Sequence, residues 1–255
     1  MLVIISALRE ELKGIERDML EATHAPFAGG SIFRGQFQGA PLAWVVSGVG
    51  MQKAQWATAE ILKDFQVEFL LVLGFAGSLS PQLGIGDLVI CETMRCEEAV
   101  DRSYRSDAGM IEMASKIEAG QSRRIWIKDC LTVNRVLSTP HQKQEISKSW
   151  NTDIVEMENF WIAEHVSRSG VRFLAVRAIS DGTQDTLPEF INMLNAEGKM
   201  PVKSGLQHFA AHPHEIKFLP RLYQNARLAR KSLVDFFRAY YPLLLAERGM
   251  SNYAH

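Results

Sequence analysis

What this chain lacks narrows its function before anything it contains. Charge imbalance is absent: 28 Lys and Arg stand against 29 Asp and Glu, a formal net charge of −1. Nothing electrostatic therefore calls for a nucleic-acid partner, which has to be met by an excess of cations. Cysteine is scarce, odd in number and unpaired in spacing, at Cys91, Cys96 and Cys130. That argues against a disulfide framework or a structural zinc and makes a reducing cytoplasm the expected compartment. No apolar run approaches the ~20 residues of a membrane span. The opening MLVIISALREEL turns charged after a short apolar run, unlike a signal peptide. What is present, 47 % hydrophobic and 22 % charged residues over 255 positions, suits a soluble globular protein.

In chain order, LVII at 2–5 reads as a first strand, followed at once by ALREEL at 7–12. The spacing of Leu12, Ile15, Met19 and Leu20 predicts a helix there. Glu10 and Glu11 are either ordinary helix-start acids, favoured by the dipole, or a general base at a strand's carboxyl end. Strands are expected at 32–37 and 42–46, separated by Gln38-Gly39. The second runs into SGVGMQKA at 47–54, a glycine turn opening a helix through Phe65. Such a turn can cradle an anion, but it lacks the third glycine and acidic partner of a dinucleotide fingerprint. A buried strand at 69–73 ends in GFAGSL, whose small residues allow either a flat ligand or tight packing. Further strands are expected at 88–90, 125–127 and 130–133. Helices are expected after Asp107 and, with Pro140 at the first helical position, through Gln144. Strands alternate with helices without a linker or composition shift, which predicts one α/β domain over residues 1–255.

The chain is organised around residues 153–185. Ile154, Met157, Trp161, Ile162, His165 and Val166 recur at helical spacing beneath Glu156 and Glu158, and Gly170 ends that helix. FLAV at 173–176 reads as a buried strand, with Arg177, Ser180 and Asp181 at its end, where α/β sheets place ligands. Two acids and an arginine converging make this the candidate site.

Residues 186–255 form a C-terminal extension. It is expected to comprise an irregular excursion over 188–205 and a final amphipathic helix over about 219–245. His208, His212 and His214 raise a metal reading, but without an HExxH companion they are expected to be packed or solvated, so no metal is assigned. Arg221, Arg227, Arg230, Lys231 and Arg238 on the last helix could meet an anionic membrane surface peripherally; packing on the body or on a partner chain is the preferred expectation.

SGVGMQKA, LGFAGSLSPQLGIGDLVI, VEMENFWIAEH and VRAISDGTQD resemble, in order and spacing, four segments of the nucleoside phosphorylase and methylthioadenosine/adenosylhomocysteine nucleosidase superfamily. The resemblance runs from Met1 to about Asp185 and implies a single-domain three-layer α/β/α fold with a central mixed, partly barrel-like sheet. It implies cleavage of the N-glycosidic bond of a purine nucleoside, a small-molecule substrate, without a cofactor but with phosphate as a conceivable co-substrate. It also implies a homodimer or higher homo-oligomer. Carried over by position, Glu158 would hold the ribose hydroxyls with Met157 beneath the sugar. Asp181 would protonate or hydrogen-bond N7 of the leaving base, and Glu11 would activate the attacking water. Arg177 would hold that glutamate or an anion, and Ala76 and Gly77 would line ribose and base. An oxocarbenium-like transition state is stabilised by a carboxylate, and the leaving base needs a proton, so Asp181 is expected to be protonated at that step, helped by burial.

The pattern departs from the family at Phe75, which stands where relatives carry a hydroxyl, and the phosphorylases' basic pocket is not evident, although Arg9 could bind phosphate. Hydrolysis is the preferred reading. LTVNRVLSTPHQK and the long tail are similar to the hopanoid-associated branch, which removes adenine from adenosylhopane. That implies a bulky apolar 5′ substituent. A methylthioadenosine/adenosylhomocysteine nucleosidase or a general purine nucleoside phosphorylase is the alternative. From other classes, a flavodoxin-like or NAD-binding module lacks its fingerprint. A non-catalytic nucleoside-binding protein is disfavoured because Glu11 and Asp181 are both present.

Overall fold

Ten strands form one mixed sheet, part of which closes on itself. The computed structural model describes residues 1–117, 124–188, 190–191, 207–208 and 211–251. In chain order the strands are β1 (Leu2–Ser6), β2 (Met19–Phe27), β3 (Gly30–Phe37), β4 (Ala40–Val46), β5 (Phe69–Ser78), β6 (Leu88–Cys96), β7 (Ser103–Arg105), β8 (Ile125–Thr132), β9 (Ile154–Glu156) and β10 (Arg172–Asp181). The helices are α1 (Arg9–Leu12), α2 (Met51–Asp64), α3 (Ala108–Ser115), α4 (Pro140–Trp150), α5 (Asn159–Val166) and α6 (Leu219–Ser251). β10, β6, β8, β9 and β5 pair in succession, and β5 pairs with β10 again, so these five close a small barrel. From β5 the sheet continues through β1, β4, β3 and β2 as an open wing.

The alternation of β1 explains the three layers. Leu2 and Ile4 join one core with Trp44, Leu71, Leu174 and the α6 residues Phe236, Phe237, Tyr240 and Tyr241. Val3 and Ile5 point the other way into a second core with Ala54, Ala57 and Ile61 of α2 and Phe160, Ile162 and Val166 of α5. Two-sided burial is what near-continuous apolar runs such as LVII and FLAV require. A third, smaller cluster seats α4 through Ile146 against Leu79, Leu131 and Val155.

Several sequence expectations need correction. The helix expected through Leu20 is a single turn, because Gly14 takes a left-handed backbone (φ 114°) that ends it. Ile15–Arg17 then form a 3-10 turn, and Met19–Phe27 is a strand paired antiparallel with β3. The strand expected at 69–73 runs on through both glycines to Ser78, since β10 pairs with it along that whole length. The strand at 173–176 likewise extends to Asp181, which places the polar cluster inside the strand rather than beyond it. Ile125–Thr132 make one strand where two were expected. The helical spacing that began at Ile154 is partly a coincidence: Ile154–Glu156 pair with β8 and β5, and the helix starts only at Asn159. The expected helices after Asp107 and Thr139 form as read, each capped by that side chain. The excursion at 188–205 lies largely outside the described residues.

Helix α6 belongs to the main core: Phe237 is fully buried, with its ring centroid 5.0 Å from that of Phe37 and 5.4 Å from that of Tyr241. Phe237→Ala should therefore cost ~3–5 kcal/mol of unfolding free energy in a denaturant titration. A loss below ~1 kcal/mol would mean that the helix is an appendage rather than part of the core.

Candidate active site

The barrel gathers four carboxylates and two cations along β5. Glu11 sits in the one-turn helix α1, just after β1, and is buried. Its Oε2 accepts from the backbone N–H of Leu8 (2.8 Å), and its Oε1 from that of Phe75 (2.8 Å). Burial pushes its pKa up, opposed by the charge of Arg177 and by these amides. A carboxylate fixed by two backbone donors and raised by burial is a base held in place.

Arg177 projects from β10 and is 2 % exposed. Its Nη2 donates to Glu156 Oε2 (2.6 Å), to Asn159 Oδ1 (2.5 Å) and, more distantly, to Glu158 Oε2 (3.4 Å). Nε donates to the same Asn159 oxygen (3.0 Å) and Nη1 to the carbonyl of Phe75 (3.2 Å). Burial alone would lower its pKa, but Glu156, Glu158 and Glu11 outweigh that and raise it. A Cβ on Gly74 would come within 2.3 Å of Arg177 Nη1 and 2.9 Å of Glu11 Oε1, so only glycine lets these two side chains cross the strand there.

Glu156 and Glu158 have different duties. Glu156 Oε2 accepts from the N–H groups of Glu158 (2.9 Å) and Asn159 (2.7 Å), and its Oε1 accepts from the Thr132 hydroxyl. It thus braces the α5 start while pairing with Arg177. Glu158, at the N-cap position, keeps one oxygen on Gly50 N–H (2.9 Å), at the glycine turn before α2. Burial raises its pKa to about 7, against the pull of Arg177 and with the push of Glu156 and Glu11. Met157 between them is half-buried.

Asp181 closes the far end. Its Oδ1 accepts from Ser180 Oγ (2.9 Å), which is also 3.3 Å from the Ala76 carbonyl. Its Oδ2 accepts from Lys143 Nζ (2.5 Å), in an ion pair whose side chains are 1 % and 9 % exposed. Gly77 keeps β5 clear of it, since a Cβ there would lie 2.9 Å from Oδ2. Gly74 and Gly77, three residues apart on β5, mark where the Glu11 and Asp181 groups come against the strand.

Three expected residues sit differently from their sequence reading. The Phe75 ring packs into the α6-side core, and it is the Phe75 backbone that serves the cluster. Arg9 pairs with Glu16 (3.1 Å) and lies over the Phe33 ring, outside the Glu11–Arg177 network, with its Nε buried and unpartnered. Asp181, expected to meet the base from an otherwise apolar surrounding, is paired with the Lys143 ammonium. Sequence reasoning missed Lys143, Asn159 and Thr132; the glycine turn read as an anion cradle does meet a carboxylate, that of Glu158 on the Gly50 N–H. A lysine in a first helical turn looks solvated, and only the β8–α4–β10 arrangement turns Lys143 inward. His208 Nε2 is 2.8 Å from Glu215 and its ring stacks on His212; among the described residues no group of three or more potential ligands could hold a metal. Among the described residues, too, no helix is long and apolar enough to cross a membrane.

The raised pKa of Glu158 fixes a pH dependence. Between its ordinary 4.5 and about 7, the folded state retains a proton that the unfolded chain has released. Stability present below that window is therefore lost as pH rises through it. Glu11 acts in the same direction. Unfolding free energy should fall between about pH 5 and 7.5 by a few kcal/mol, because each tenfold difference in proton affinity between the folded and unfolded chain is worth ~1.4 kcal/mol. Glu158→Gln should flatten much of that slope; an unchanged slope would mean that Glu158 is ionised throughout.

Known proteins resemble this chain in sequence and in fold. The 5′-methylthioadenosine/S-adenosylhomocysteine nucleosidase of Maridesulfovibrio salexigens is 28 % identical over 194 residues, covering 70 % of this chain and 84 % of that protein. The enzyme of the same name from Staphylococcus aureus strain bovine RF122 is 24 % identical over 196 residues, covering 71 % and 86 %. Among solved structures, the methylthioadenosine/adenosylhomocysteine nucleosidase of Colwellia psychrerythraea in complex with adenine superposes with a TM-score of 0.74 at 19 % identity, over 94 % of this chain and 93 % of that one. Futalosine hydrolase of Helicobacter pylori superposes with a TM-score of 0.70 at 19 % identity, over 92 % and 96 %. These structures share the fold, a single α/β domain with a mixed, barrel-like sheet. The profile of the phosphorylase superfamily matches residues 1–201, and the chain belongs to that superfamily.

Proposed function

We propose that this enzyme hydrolyses the N-glycosidic bond of an adenine nucleoside of the methylthioadenosine/adenosylhomocysteine kind. One observation carries the reading: Glu11 and Asp181 face the two ends of a short glycine-bearing stretch of β5. In this reading the substrate spans from Glu11 to Asp181, with the attacking water at the first end and the purine at the second. Glu11, raised by burial, takes a proton from the attacking water. Glu158, with its second oxygen turned to the same cluster, holds the ribose hydroxyls above Met157. The surplus of carboxylates over Arg177 stabilises the positive charge that develops on the sugar as the bond to N9 breaks. Asp181, with Ser180 on its other oxygen, meets N7 of the departing base. Ala76 and Gly77 form the wall against which sugar and base lie.

Hydrolysis fits better than phosphorolysis. Arg177 is saturated by carboxylates and carbonyl oxygens, and Arg9 is turned to Glu16, so no free guanidinium awaits a phosphate in the cluster. The adenosylhopane reading is a finer version of this function, resting on the tail. Residues 192–206 and Phe209 of that tail lie outside the described residues, while Tyr223 is exposed at 68 %. Four of the five basic residues noted on α6 pair within the chain, as Arg221–Asp185, Arg230–Glu10, Lys231–Asp235 and Arg238–Asp18. That leaves little basic surface for a membrane, and the relatives named above favour the smaller 5′ group.

The test is a panel of adenosine, methylthioadenosine, adenosylhomocysteine and 5′-alkyl adenosines, with and without phosphate, with free adenine and sugar 1-phosphate quantified. The expected result is adenine release independent of phosphate and best with a 5′-thioether. Glu11→Gln should lower kcat by ~10²–10⁴-fold. Glu10→Gln, whose carboxylate pairs with Lys13 and Arg230 at the surface, should change it little. Equal losses in both variants, or strict dependence on phosphate, would overturn the assignment.

A further inference from the structure

Resting on that reading, we propose that Lys143 is the positioning residue and proton source for Asp181, passing a proton through that carboxylate to the leaving base. Lys143 is a costly residue where it stands. It occupies the first turn of α4, where the helix dipole disfavours a cation, and it is 1 % exposed. Removing an ammonium from water is expensive unless partners replace the solvent. Its partners are Asp181 Oδ2 (2.5 Å) and the carbonyl of Gly182 (2.6 Å), both beside the candidate site.

The surrounding contacts hold this placement rather than merely permit it. Thr139 and Gln142 cap α4 reciprocally: Thr139 Oγ1 accepts from the Gln142 N–H, and Gln142 Oε1 from the N–H groups of Ser138 and Thr139. Leu187 N–H binds the Ser138 carbonyl (2.8 Å), and Asp185 Oδ2 accepts from Gly182 N–H (2.7 Å). The helix start and the segment after β10 are thus tied together around the Lys143–Asp181 pair. For stability alone, replacing Lys143 and Asp181 together by apolar side chains of similar volume would serve as well or better.

The chemistry needs what this pair offers. As an ion pair, the proton is stored on Lys143, and Asp181 can present Oδ1 to N7 while Oδ2 faces the ammonium. When the C1′–N9 bond breaks, its electron pair passes to the base, which becomes far more basic than the bound nucleoside. A proton then moves from Lys143 Nζ to Oδ2, the carboxylic acid so formed turns about its Cβ–Cγ bond to bring that oxygen to N7, and the same proton passes to the base. The base leaves neutral, the attacking water gives its oxygen to C1′ and its proton to Glu11, and Lys143 is left as the amine until solvent restores it. Nothing beyond water is consumed. Ser180 keeps Oδ1 oriented until the base displaces its hydroxyl.

The experiment compares two substrates carrying the same 5′-methylthio sugar. One bears adenine, which needs a proton to leave; the other bears 4-nitrophenolate, which does not. In Lys143→Met the ratio of kcat/KM for the adenine substrate to that for the nitrophenyl substrate should fall ~10²-fold or more, the scale of general acid catalysis. The loss should lie in kcat rather than KM. This ratio is independent of the fraction of variant that is folded. Lys143→Arg retains the cation, but a guanidinium does not give up its proton, so it should show the same selective loss. Lys143→Met combined with Asp181→Asn should be no worse on the adenine substrate than Asp181→Asn alone. Equal losses on both substrates, or full recovery in Lys143→Arg, would reduce Lys143 to a structural cation and overturn the relay. A wild-type protein that releases neither leaving group would remove the nucleosidase reading itself, and the relay with it.

Discussion

Everything in this molecule's centre depends on one buried guanidinium. Arg177 carries the positive charge facing Glu11, Glu156 and Glu158, all in a closed barrel from which water is largely excluded. Leaving any of those acids ionised without it would cost ~3–5 kcal/mol. β10 can bring Arg177 there because it pairs with β5 on one side and β6 on the other. β9, only three residues long, hands Glu156 to it from across the barrel. The closing strands are thus the scaffold of the charge cluster, and the charge cluster explains why so polar a group sits between two apolar cores.

The cluster is unequal in a useful way. Glu156 is consumed by Thr132 and two backbone amides, so it behaves as structure. Glu158 and Glu11 share the remaining field of Arg177 with pKa values raised by burial, that of Glu158 to about 7, so Glu158 can change state near neutral pH. The glycines at 74 and 77 mark where Glu11 and Arg177, and then Asp181, come against β5. Two charged centres at opposite ends of one small-residue strand allow proton removal from a water at one end and proton delivery to a base at the other.

The sequence disclosed the parts that short motifs and periodicity encode. The alternating strands and helices and the convergence of Glu156, Glu158 and Arg177 were all legible, as was the α4 start at Thr139-Pro140. Lengths were not legible where pairing overrides composition. GFAGS reads as the end of a strand, yet β10 holds it extended to Ser78. Ile154 fits a helical face by spacing, but Ser78 and Cys130 claim it as a strand partner. Lys143 was invisible for a different reason. Its neighbours in the sequence are polar, and its burial arises from contacts with residues 38 and 39 positions away.

The orientation of the base is the claim on which the rest turns. A crystal structure of the protein with adenine bound tests it directly. The account predicts N7 within ~3 Å of an Asp181 oxygen, the ring edge against Ala76 and Gly77, and N9 directed along β5 toward Glu11. Adenine bound with N7 turned away from Asp181, or seated instead in the separate cleft lined by Tyr104, Asp107, Arg172 and Phe173, would contradict it.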